Sequence, residues 1–409
     1  MKMKKYIILL LTMVLAVAVR GQNIVVVTDT AATDSVAALP WPENVQSRLD
    51  SLIGCSALLQ RSQLGLMVYD LTADSVLYAH NERQTMRPAS TMKLVTAIAA
   101  LDRLGGNYRY ETSLHYTGRL DSCTLQGDLY VVGGMDPCFD TADLNAFVAA
   151  VRQLGIDTIR GRIVADRSMK DADLLGQGWC WDDDNPVLSP LLIERKDVVP
   201  QRLMDALRRA GVVVQTMVTE GRLPGGACMV ATRSHTMDQV LMKMMKDSDN
   251  LYAESMFYQL AAATGNRPAT AKQARAAIRQ LIARLGLQPE CYKIADGSGL
   301  SLYNYLSPEL EVRLLNYAYR NGIIRTHLYP ALPIGGIDGT LKKRMQGTPA
   351  QGNVHAKTGT VTGVSALAGY LTSVNGHVIT FSIMNQGVMT ISQARAFQDF
   401  VCEILCGER

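Results

Sequence analysis

Ser90 and Lys93 are three residues apart, so on a helix their side chains lie on the same face. A serine hydroxyl is a weak nucleophile until a base removes its proton. A lysine can be that base when burial and a nearby positive charge lower its pKa toward neutrality. The S-x-x-K spacing also arises by chance, because a serine helix cap followed by an exposed lysine has the same pattern. Ser90 and Lys93 are therefore a candidate nucleophile and base.

Ser248, Asp249 and Asn250 form a second candidate group between two predicted helices. A hydroxyl and an amide two residues apart on such a loop can point into one cleft. The same three residue types are also preferred helix N-caps. By itself, this motif therefore does not separate a catalytic loop from an ordinary cap.

Lys357, Thr358, Gly359 and Thr360 lie within a predicted strand and form a third motif. Strand alternation places Lys357 and Gly359 on one face and the two threonines on the other. Because glycine has no side chain, we expect a substrate backbone to lie alongside the strand at this position. An edge strand with a protective lysine would carry the same residues.

The order of the three motifs carries more information than any one of them. S-x-x-K, S-D-N and K-T-G in this order, each in its expected structural context, are typical of penicillin-recognising serine enzymes. From about residue 60 to its end, the chain closely resembles the class C low-molecular-mass penicillin-binding proteins, which are D-alanyl-D-alanine carboxypeptidases and endopeptidases. Further segments that resemble this family are residues 127–134, 248–254, 296–301 and 332–341.

The resemblance implies an acyl-enzyme mechanism that acts on peptidoglycan stem peptides. Ser90 would attack the carbonyl of the penultimate D-alanine while Lys93 accepts the hydroxyl proton. Ser248 would pass a proton to the leaving amine beside a positively charged Lys357, whose charge would also lower the pKa of Lys93. Asn250 would orient the substrate amide and the lysine base. β-Lactams would acylate Ser90, and the resulting acyl-enzyme would be hydrolysed only slowly.

The resemblance also implies substrate-binding residues. Thr358 and Thr360 would hold the terminal carboxylate together with Lys357, and the backbone N–H groups of Ser90 and Thr360 would form an oxyanion hole. Asp173, in the middle of the chain, is the predicted acid that binds the side chain of the stem peptide, although its sequence context favours an ordinary solvated loop carboxylate. Leu302 stands where the family often has a basic residue, which leaves the substrate contacts there open.

Two other functions share part of this pattern. A β-lactamase has the same three motifs, but it also needs a deacylating base, and no E-x-x-L-N segment lies between S-D-N and K-T-G. A non-catalytic β-lactam-sensing or cell-wall-binding protein would be expected to lack Ser90 or Lys93, and both are present. The turnover time of a bound penicillin would separate the β-lactamase from a D,D-peptidase.

The hydrophobic pattern predicts the elements that position these motifs. Strands are predicted over residues 63–71, 75–80, 124–132, 158–165, 354–361, 365–372 and 377–385, and helices over 90–104, 235–246, 251–263, 269–285 and 392–406. The predicted fold class is α/β of the α+β type: a penicillin-binding or β-lactamase-like serine peptidase domain with an antiparallel sheet flanked by helices, plus an inserted β-rich domain.

We expect the catalytic domain to be discontinuous, over residues 22–106 and 232–409, around an insert at 107–231. The resemblance implies an insert of two domains, and because the separation of Ser90 and Ser248 is short for this family, we expect one full inserted domain with a reduced or missing second one.

The first 21 residues have the layout of a secretory signal peptide. A basic head, an apolar run over residues 7–19 and small residues near position 21 would make Gln22 the first residue of the mature chain. The apolar run is short for a permanent membrane anchor. We therefore expect a periplasmic protein with at most peripheral membrane association.

Charge and composition limit the partners. The net charge of +4 comes entirely from Lys2, Lys4, Lys5 and Arg20 in the signal segment, so the mature chain is neutral and nucleic acid is not an expected partner. The eight cysteines form no CxxC pair and the six histidines no HExxH motif, so no metal or cofactor is expected. The sequence leaves disulfide pairing open and allows a homodimer.

Overall fold

The structure, a computed structural model, describes residues 40–180 and 185–407. The predicted signal peptide lies outside these residues. The helices are α1 (Glu43–Gly54), α2 (Met92–Leu104), α3 (Thr141–Gln153), α4 (Val199–Arg209), α5 (Met237–Lys246), α6 (Asn250–Ala262), α7 (Ala271–Arg284), α8 (Pro308–Arg320), α9 (Gly322–Ala331) and α10 (Ile391–Cys406). The strands are β1 (Gln63–Asp70), β2 (Ser75–His80), β3 (Arg109–Tyr116), β4 (Arg119–Asp121), β5 (Thr124–Gln126), β6 (Leu129–Val132), β7 (Thr158–Ile159), β8 (Ile163–Asp166), β9 (Val213–Val214), β10 (Val218–Glu220), β11 (Cys228–Thr236), β12 (His355–Val361), β13 (Val364–Thr372) and β14 (Val378–Gln386).

The first sheet joins both ends of the chain, with strand order β12-β13-β14-β1-β2 and antiparallel pairing throughout. Both faces of its central strands are covered, which explains why β13 and β14 are almost continuously buried rather than alternating. On one face the Tyr370 hydroxyl donates to the Leu315 carbonyl of α8 at 2.7 Å. On the other face Gln398 of α10 donates to the Ser365 hydroxyl at 3.1 Å. The predicted α+β architecture is confirmed.

Helix α2 lies in the middle of the helical layer. Its residues from Met92 to Leu101 are all buried, and the apolar ones share one hydrophobic cluster with side chains of α5, α6, α7, α8 and α9. The helix ends as predicted, because Gly105 takes the left-handed conformation (φ +79°) that a Cβ would disfavour. This central helix carries Lys93 at its first turn, so the base is fixed by the packing of the whole layer.

The segment between α2 and α5 contains two further sheets, with strand orders β10-β8-β6-β3-β11 and β4-β5-β7-β9. One hydrophobic cluster, separate from that of α2, joins these sheets to α3 and α4. The expected β-rich character is present, but the two helices and the parallel pairs β6–β8 and β8–β10 were not expected. The division of the chain into domains stays a prediction, and β11 extends five residues beyond the predicted boundary at residue 231.

Each strand expected over residues 124–132 and 158–165 is broken into two. At Gly127 the chain passes between the two sheets so closely that a Cβ would lie 1.8 Å from the Thr117 carbonyl oxygen. The Asp128 carboxylate then accepts a hydrogen bond from the Arg162 backbone N–H at 2.7 Å. Apolar runs alone do not show such breaks, because both halves of each run remain buried.

The helix expected from His235 begins two residues later, at Met237. The Thr236 side chain accepts from the Gln239 N–H at 3.2 Å, and the Gln239 side chain accepts from the Thr236 N–H, which forms a capping box. His235 instead belongs to β11, where it lies opposite Tyr110.

The cysteines are all free: Cys402 and Cys406 are buried in α10, as expected from core packing, and the other six are partly or fully exposed. Among the described residues, none of the helices is long and apolar enough to cross a bilayer. The described residues also contain no cluster of three or more His, Cys, Asp or Glu side chains suited to a metal ion.

The buried core of the first sheet should carry much of the stability of the fold. Phe381 of β14 is fully buried, whereas Phe400 of α10 is 53% exposed. Phe381→Ala should lower the free energy of unfolding by about 3–5 kcal/mol, because it removes a buried ring and leaves a cavity. The matched change Phe400→Ala should stay within about 0.5 kcal/mol of the wild type. Urea unfolding measures both, and equal losses would contradict this description of the sheet.

Candidate active site

Ser90 lies in a single helical turn, Ala89–Thr91, immediately before α2. Ala89 has φ +48°, a left-handed conformation that is costly for a residue with a Cβ. Gly299 packs against this turn, because a Cβ on it would lie 1.8 Å from the Ala89 carbonyl oxygen. The strained turn is therefore held from outside, and it presents the serine at the start of the helix.

Gly359 has a different role from the one expected. A Cβ at this position would lie 2.5 Å from the Pro88 carbonyl oxygen and 3.2 Å from the Ser90 nitrogen. The glycine therefore allows β12 to approach the backbone of the nucleophile turn, and its absent side chain does not face an open groove for substrate. The strand alternation itself is confirmed: Lys357 and Gly359 are buried, Thr360 is exposed and Thr358 is intermediate.

Lys93 is fully buried, and its ammonium group has three acceptors. Its Nζ donates to Ser90 Oγ at 2.9 Å, to Asn250 Oδ1 at 2.8 Å and to the Ser298 carbonyl at 2.8 Å. The structure thus joins the predicted nucleophile, base and amide, which come from the turn before α2, from α2 and from the start of α6. The Ser298 carbonyl was not expected from sequence, although the segment 296–301 that contains it was noted.

Lys357 is also fully buried, and it donates to the hydroxyl of Ser248, the second predicted serine. Its Nζ donates to Ser248 Oγ at 2.9 Å and to the Thr358 carbonyl at 2.8 Å. Ser248 has φ +61°, so the chain turns sharply before α6 begins at Asn250. All five predicted catalytic residues therefore belong to two adjacent groups, each centred on a lysine.

Burial shifts the pKa values of both lysines downward. It lowers the pKa of Lys93 to about 8, against the opposing effect of the carboxylates of Asp296, Glu254 and Asp249. Burial, and then the positive charge of Lys93, lower the pKa of Lys357 well below the usual lysine range. Both acceptors of Lys357, a hydroxyl and a carbonyl, are neutral oxygens. The structure therefore does not favour the positive charge on Lys357 that was predicted from the sequence. Burial, rather than repulsion by Lys357, dominates at Lys93.

Two buried carboxyl groups, those of Glu254 and Asp296, hold the loop that contacts the lysine base. Glu254 accepts from the N–H groups of Gly297 at 3.0 Å and Ser298 at 2.7 Å, and burial followed by the charge of Asp296 raises its pKa to about 8. Asp296 accepts from the N–H groups of Gly299 at 2.8 Å and Ser301 at 2.7 Å. These bonds fix the loop whose carbonyl at Ser298 contacts the base.

The two serines open into one cavity of about 190 Å³. Its lining consists of Ser90, Ser248, Thr340, Arg344, Thr358, Thr360 and Arg395. Arg395 of α10 donates through Nη2 to Thr360 Oγ1 at 3.3 Å, and Arg344 is held by the Asp399 carboxylate at 2.6 Å. Sequence reasoning missed both arginines, because neither lies in a recognisable motif and only the fold brings α10 to the end of β12.

Asp173 lies apart from this group. It is exposed, and its backbone carbonyl accepts from Lys170 Nζ at 2.6 Å. It lines another cavity, of about 290 Å³, together with Arg275, Glu254 and Asp296. Its predicted role toward substrate stays a prediction.

Comparison with known proteins relates most of the chain to one peptidase family. The chain matches the D-Ala-D-Ala carboxypeptidase 3 (S13) family over residues 45–194 and 192–405. It is 25% identical to the D-alanyl-D-alanine carboxypeptidase DacB of Haemophilus influenzae, over 81% of this chain and 87% of the relative. It is 26% identical to the D-alanyl-D-alanine carboxypeptidase of an Actinomadura species, over 80% of this chain and 78% of the relative.

Solved structures agree in fold. Penicillin-binding protein 4 (dacB) from Haemophilus influenzae superposes with a TM-score of 0.82 at 23% identity, covering 88% of this chain and 99% of that chain. A structure of the same protein complexed with a β-lactam superposes with a TM-score of 0.73 at 25% identity, covering 87% and 98%. Because the family match extends over far more than half of the sequence and includes all three motifs, the chain belongs to the D-Ala-D-Ala carboxypeptidase 3 (S13) family of serine peptidases.

Proposed function

We propose that Ser90 of this serine D,D-carboxypeptidase attacks the carbonyl of the penultimate D-alanine in peptidoglycan stem peptides, and that Lys93 accepts the hydroxyl proton. The observation that carries this proposal is the 2.9 Å contact between Nζ of the fully buried Lys93 and Oγ of Ser90, which lines the cavity. With a pKa of about 8, an appreciable fraction of Lys93 is neutral near physiological pH and can act as a base.

We assign the second half of the reaction to the Ser248 group. The Ser248 hydroxyl gives its proton to the leaving amine while the bond from Lys357 Nζ at 2.9 Å holds its oxygen, and the proton that Lys93 took from Ser90 replaces the one that Ser248 has given up. Asn250 holds the base through its Oδ1 and offers its amide nitrogen to the substrate. The backbone N–H groups of Ser90 and Thr360 are assigned to the oxyanion, which is supported by the close approach of β12 to the nucleophile turn.

The cavity beside the two serines is suited to the terminal carboxylate of the substrate. Thr358 and Thr360 line it with hydroxyl donors, and Arg395 lies within hydrogen-bond distance of Thr360. Arg344 is already paired with Asp399, so we assign the carboxylate to Arg395 and the threonines. Peptides without a free terminal carboxylate would lose this contact.

The setting of the reaction follows from the substrate class. Stem peptides are found outside the cytoplasmic membrane, and the signal-like segment of residues 1–21 supports a periplasmic location with at most peripheral membrane contact. Asp173 is retained as the residue that reads the side chain of the stem peptide, supported by its place on the loop beside the 290 Å³ cavity. β-Lactams would form a slowly hydrolysed acyl-enzyme on Ser90.

Hydrolysis of defined muropeptides tests the assignment of the nucleophile. The wild-type protein should release terminal D-alanine from uncross-linked pentapeptides, and cross-linked dimers incubated in parallel show whether it also cleaves the bridge. Ser90→Ala should lose both hydrolysis and covalent labelling by a fluorescent penicillin, because among the described residues Ser90 has the one hydroxyl bonded to Lys93, while its thermal unfolding stays unchanged. Covalent labelling of the alanine variant would contradict the assignment, and penicillin turnover within seconds would indicate a β-lactamase.

Exchange of each lysine for arginine tests the assignment of the base. Lys93→Arg should slow acylation by about 10²- to 10⁴-fold, because a guanidinium cannot release its proton at working pH. Lys357→Arg places a permanent charge where the structure disfavours one, so it should also slow acylation, but by less than Lys93→Arg because arginine still donates to Ser248. Stopped-flow acylation with one penicillin measures both rates, and equally fast variants would show that the base is elsewhere.

The pH profile provides the control for this experiment. Since Lys93 works only when it is unprotonated, wild-type acylation should be slow well below pH 8 and should rise as the pH passes about 8. Lys357→Arg should keep a rising limb. A flat wild-type profile between pH 6 and pH 9 would contradict the low pKa of Lys93.

Replacement of Arg395 tests the carboxylate site. Arg395→Met should raise KM for a D-Ala-D-Ala peptide about fivefold with little change in kcat, because an exposed arginine contributes to binding but not to the chemical step. The same peptide with a C-terminal amide serves as the control: the wild type should prefer the carboxylate, and the variant should lose this preference. An unchanged preference would exclude Arg395 from the site.

A further inference from the structure

A tight hairpin in the middle segment of the chain reaches the catalytic loop. Ile193 and Lys196 exchange two backbone hydrogen bonds of 3.0 Å, and the two residues between them both have positive φ, +50° at Glu194 and +64° at Arg195. This is the type I′ arrangement, which normally takes asparagine or glycine. Two residues with long side chains therefore occupy positions that are unfavourable for them. Their side chains should then have a role at this tip.

The hairpin is fixed from the side of the middle segment. Ile193 is fully buried in the hydrophobic cluster that joins the two sheets of that segment. The Glu194 carboxylate pairs with Arg202 of α4 at 2.8 Å and accepts from the Thr141 hydroxyl of α3 at 3.4 Å. The tip is thus tied to two helices, and its other residue, Arg195, points away from them toward a different partner.

That partner is the middle residue of the S-D-N motif. Arg195 Nη1 lies 2.7 Å from Asp249 Oδ2. The other carboxylate oxygen of Asp249 caps α6 by accepting from the Leu251 N–H at 2.9 Å. The Asp249 side chain is 11% exposed and the Arg195 side chain 53%. Both oxygens of this carboxylate are therefore engaged, one by its own helix and one by the hairpin.

Asp249 stands between the two residues that touch the lysines. Ser248 precedes it in a left-handed conformation and accepts from Lys357, and Asn250 follows it and accepts from Lys93. A rotation of Asp249 would move both of these oxygens relative to their lysines. An arginine that holds the carboxylate in place therefore restrains the geometry of the two groups at once.

We propose that Arg195 is a positioning residue for catalysis, through which the middle segment holds the S-D-N turn in its productive conformation. The inference rests on the proposed function, since it requires Ser248 and Asn250 to act in acylation. Arg195 does not touch the reacting atoms, so its removal slows the reaction without abolishing it.

Arg195 also acts on the charge around the base. Lys93 is faced by Lys357 from β12, by Glu254 from α6 and by Asp249 from the turn before α6. Asp296 faces it from the loop between α7 and α8. The Asp249 carboxylate raises the pKa of Lys93, and Arg195 offsets part of that negative charge. Loss of Arg195 should therefore move the rising limb of the pH profile to higher pH, which a purely structural role would not do.

Acylation by a fluorescent penicillin, measured as a second-order rate across pH, tests the inference in the full-length protein. Arg195→Met should acylate roughly threefold to tenfold more slowly, with its rising limb at higher pH. Arg195→Lys should recover most of the rate, because it keeps the charge. In the background of Asp249→Asn, the further change Arg195→Met should have little effect, since the pair is already lost.

Arg162→Met is the matched control. Arg162 is 56% exposed in its side chain and pairs at 2.7 Å with Asp128, which is 17% exposed, in the same segment but far from the catalytic motifs in sequence. It should acylate at the wild-type rate. If Arg195→Met also keeps the wild-type rate and pH profile, or if Arg162→Met is equally slow, the inference is overturned. A wild-type protein that no penicillin labels would overturn the proposed function and this inference with it.

Discussion

The burial of two lysine ammonium groups side by side is the constraint on which the rest of the active site depends. Lys93 and Lys357 are both fully buried, and removing such charges from water is costly unless they are hydrogen-bonded or lose their proton. Hydrogen bonds from each Nζ atom to nearby oxygens offset part of the free energy lost on burial. The remainder appears as the lowered pKa of each lysine, so the strain of burial supplies the base that the chemistry needs.

The rest of the fold keeps this unfavourable arrangement in place. Helix α2 is buried almost all round, which prevents Lys93 from turning out to solvent. Glu254 and Asp296 fix the loop that gives Lys93 its third acceptor, and they limit how far its pKa falls. Gly359 lets β12 lie against the nucleophile turn, which brings the second lysine to the first. Each of these features is needed because the two lysine side chains are held where water is excluded.

The middle segment is attached to this site through polar contacts as well as packing. The Trp179 indole donates to Asp296 at 2.8 Å, Gln259 of α6 donates to the Gly134 carbonyl at 2.6 Å, and Arg195 pairs with Asp249. All three contacts involve α6 or the loop that supports Lys93. The segment is therefore connected to the catalytic residues themselves, and changes in its packing would be expected to reach the chemistry.

The sequence by itself determined the parts that depend on local spacing. Residues i and i+3 of a helix share a face, so Ser90 and Lys93 were correctly predicted to lie together. Neighbouring residues of a strand point to opposite faces, so Lys357 and Thr358 were correctly predicted to lie on different faces of β12. The tertiary structure decided what depends on distance between remote residues and on burial. It brought Arg395 to Thr360 and Arg195 to Asp249, placed Asp173 apart from the serines, and turned Gly359 toward the nucleophile backbone. It also lowered the pKa of Lys357, because the loss of water around a side chain is a property of the packed fold and not of its neighbours in sequence.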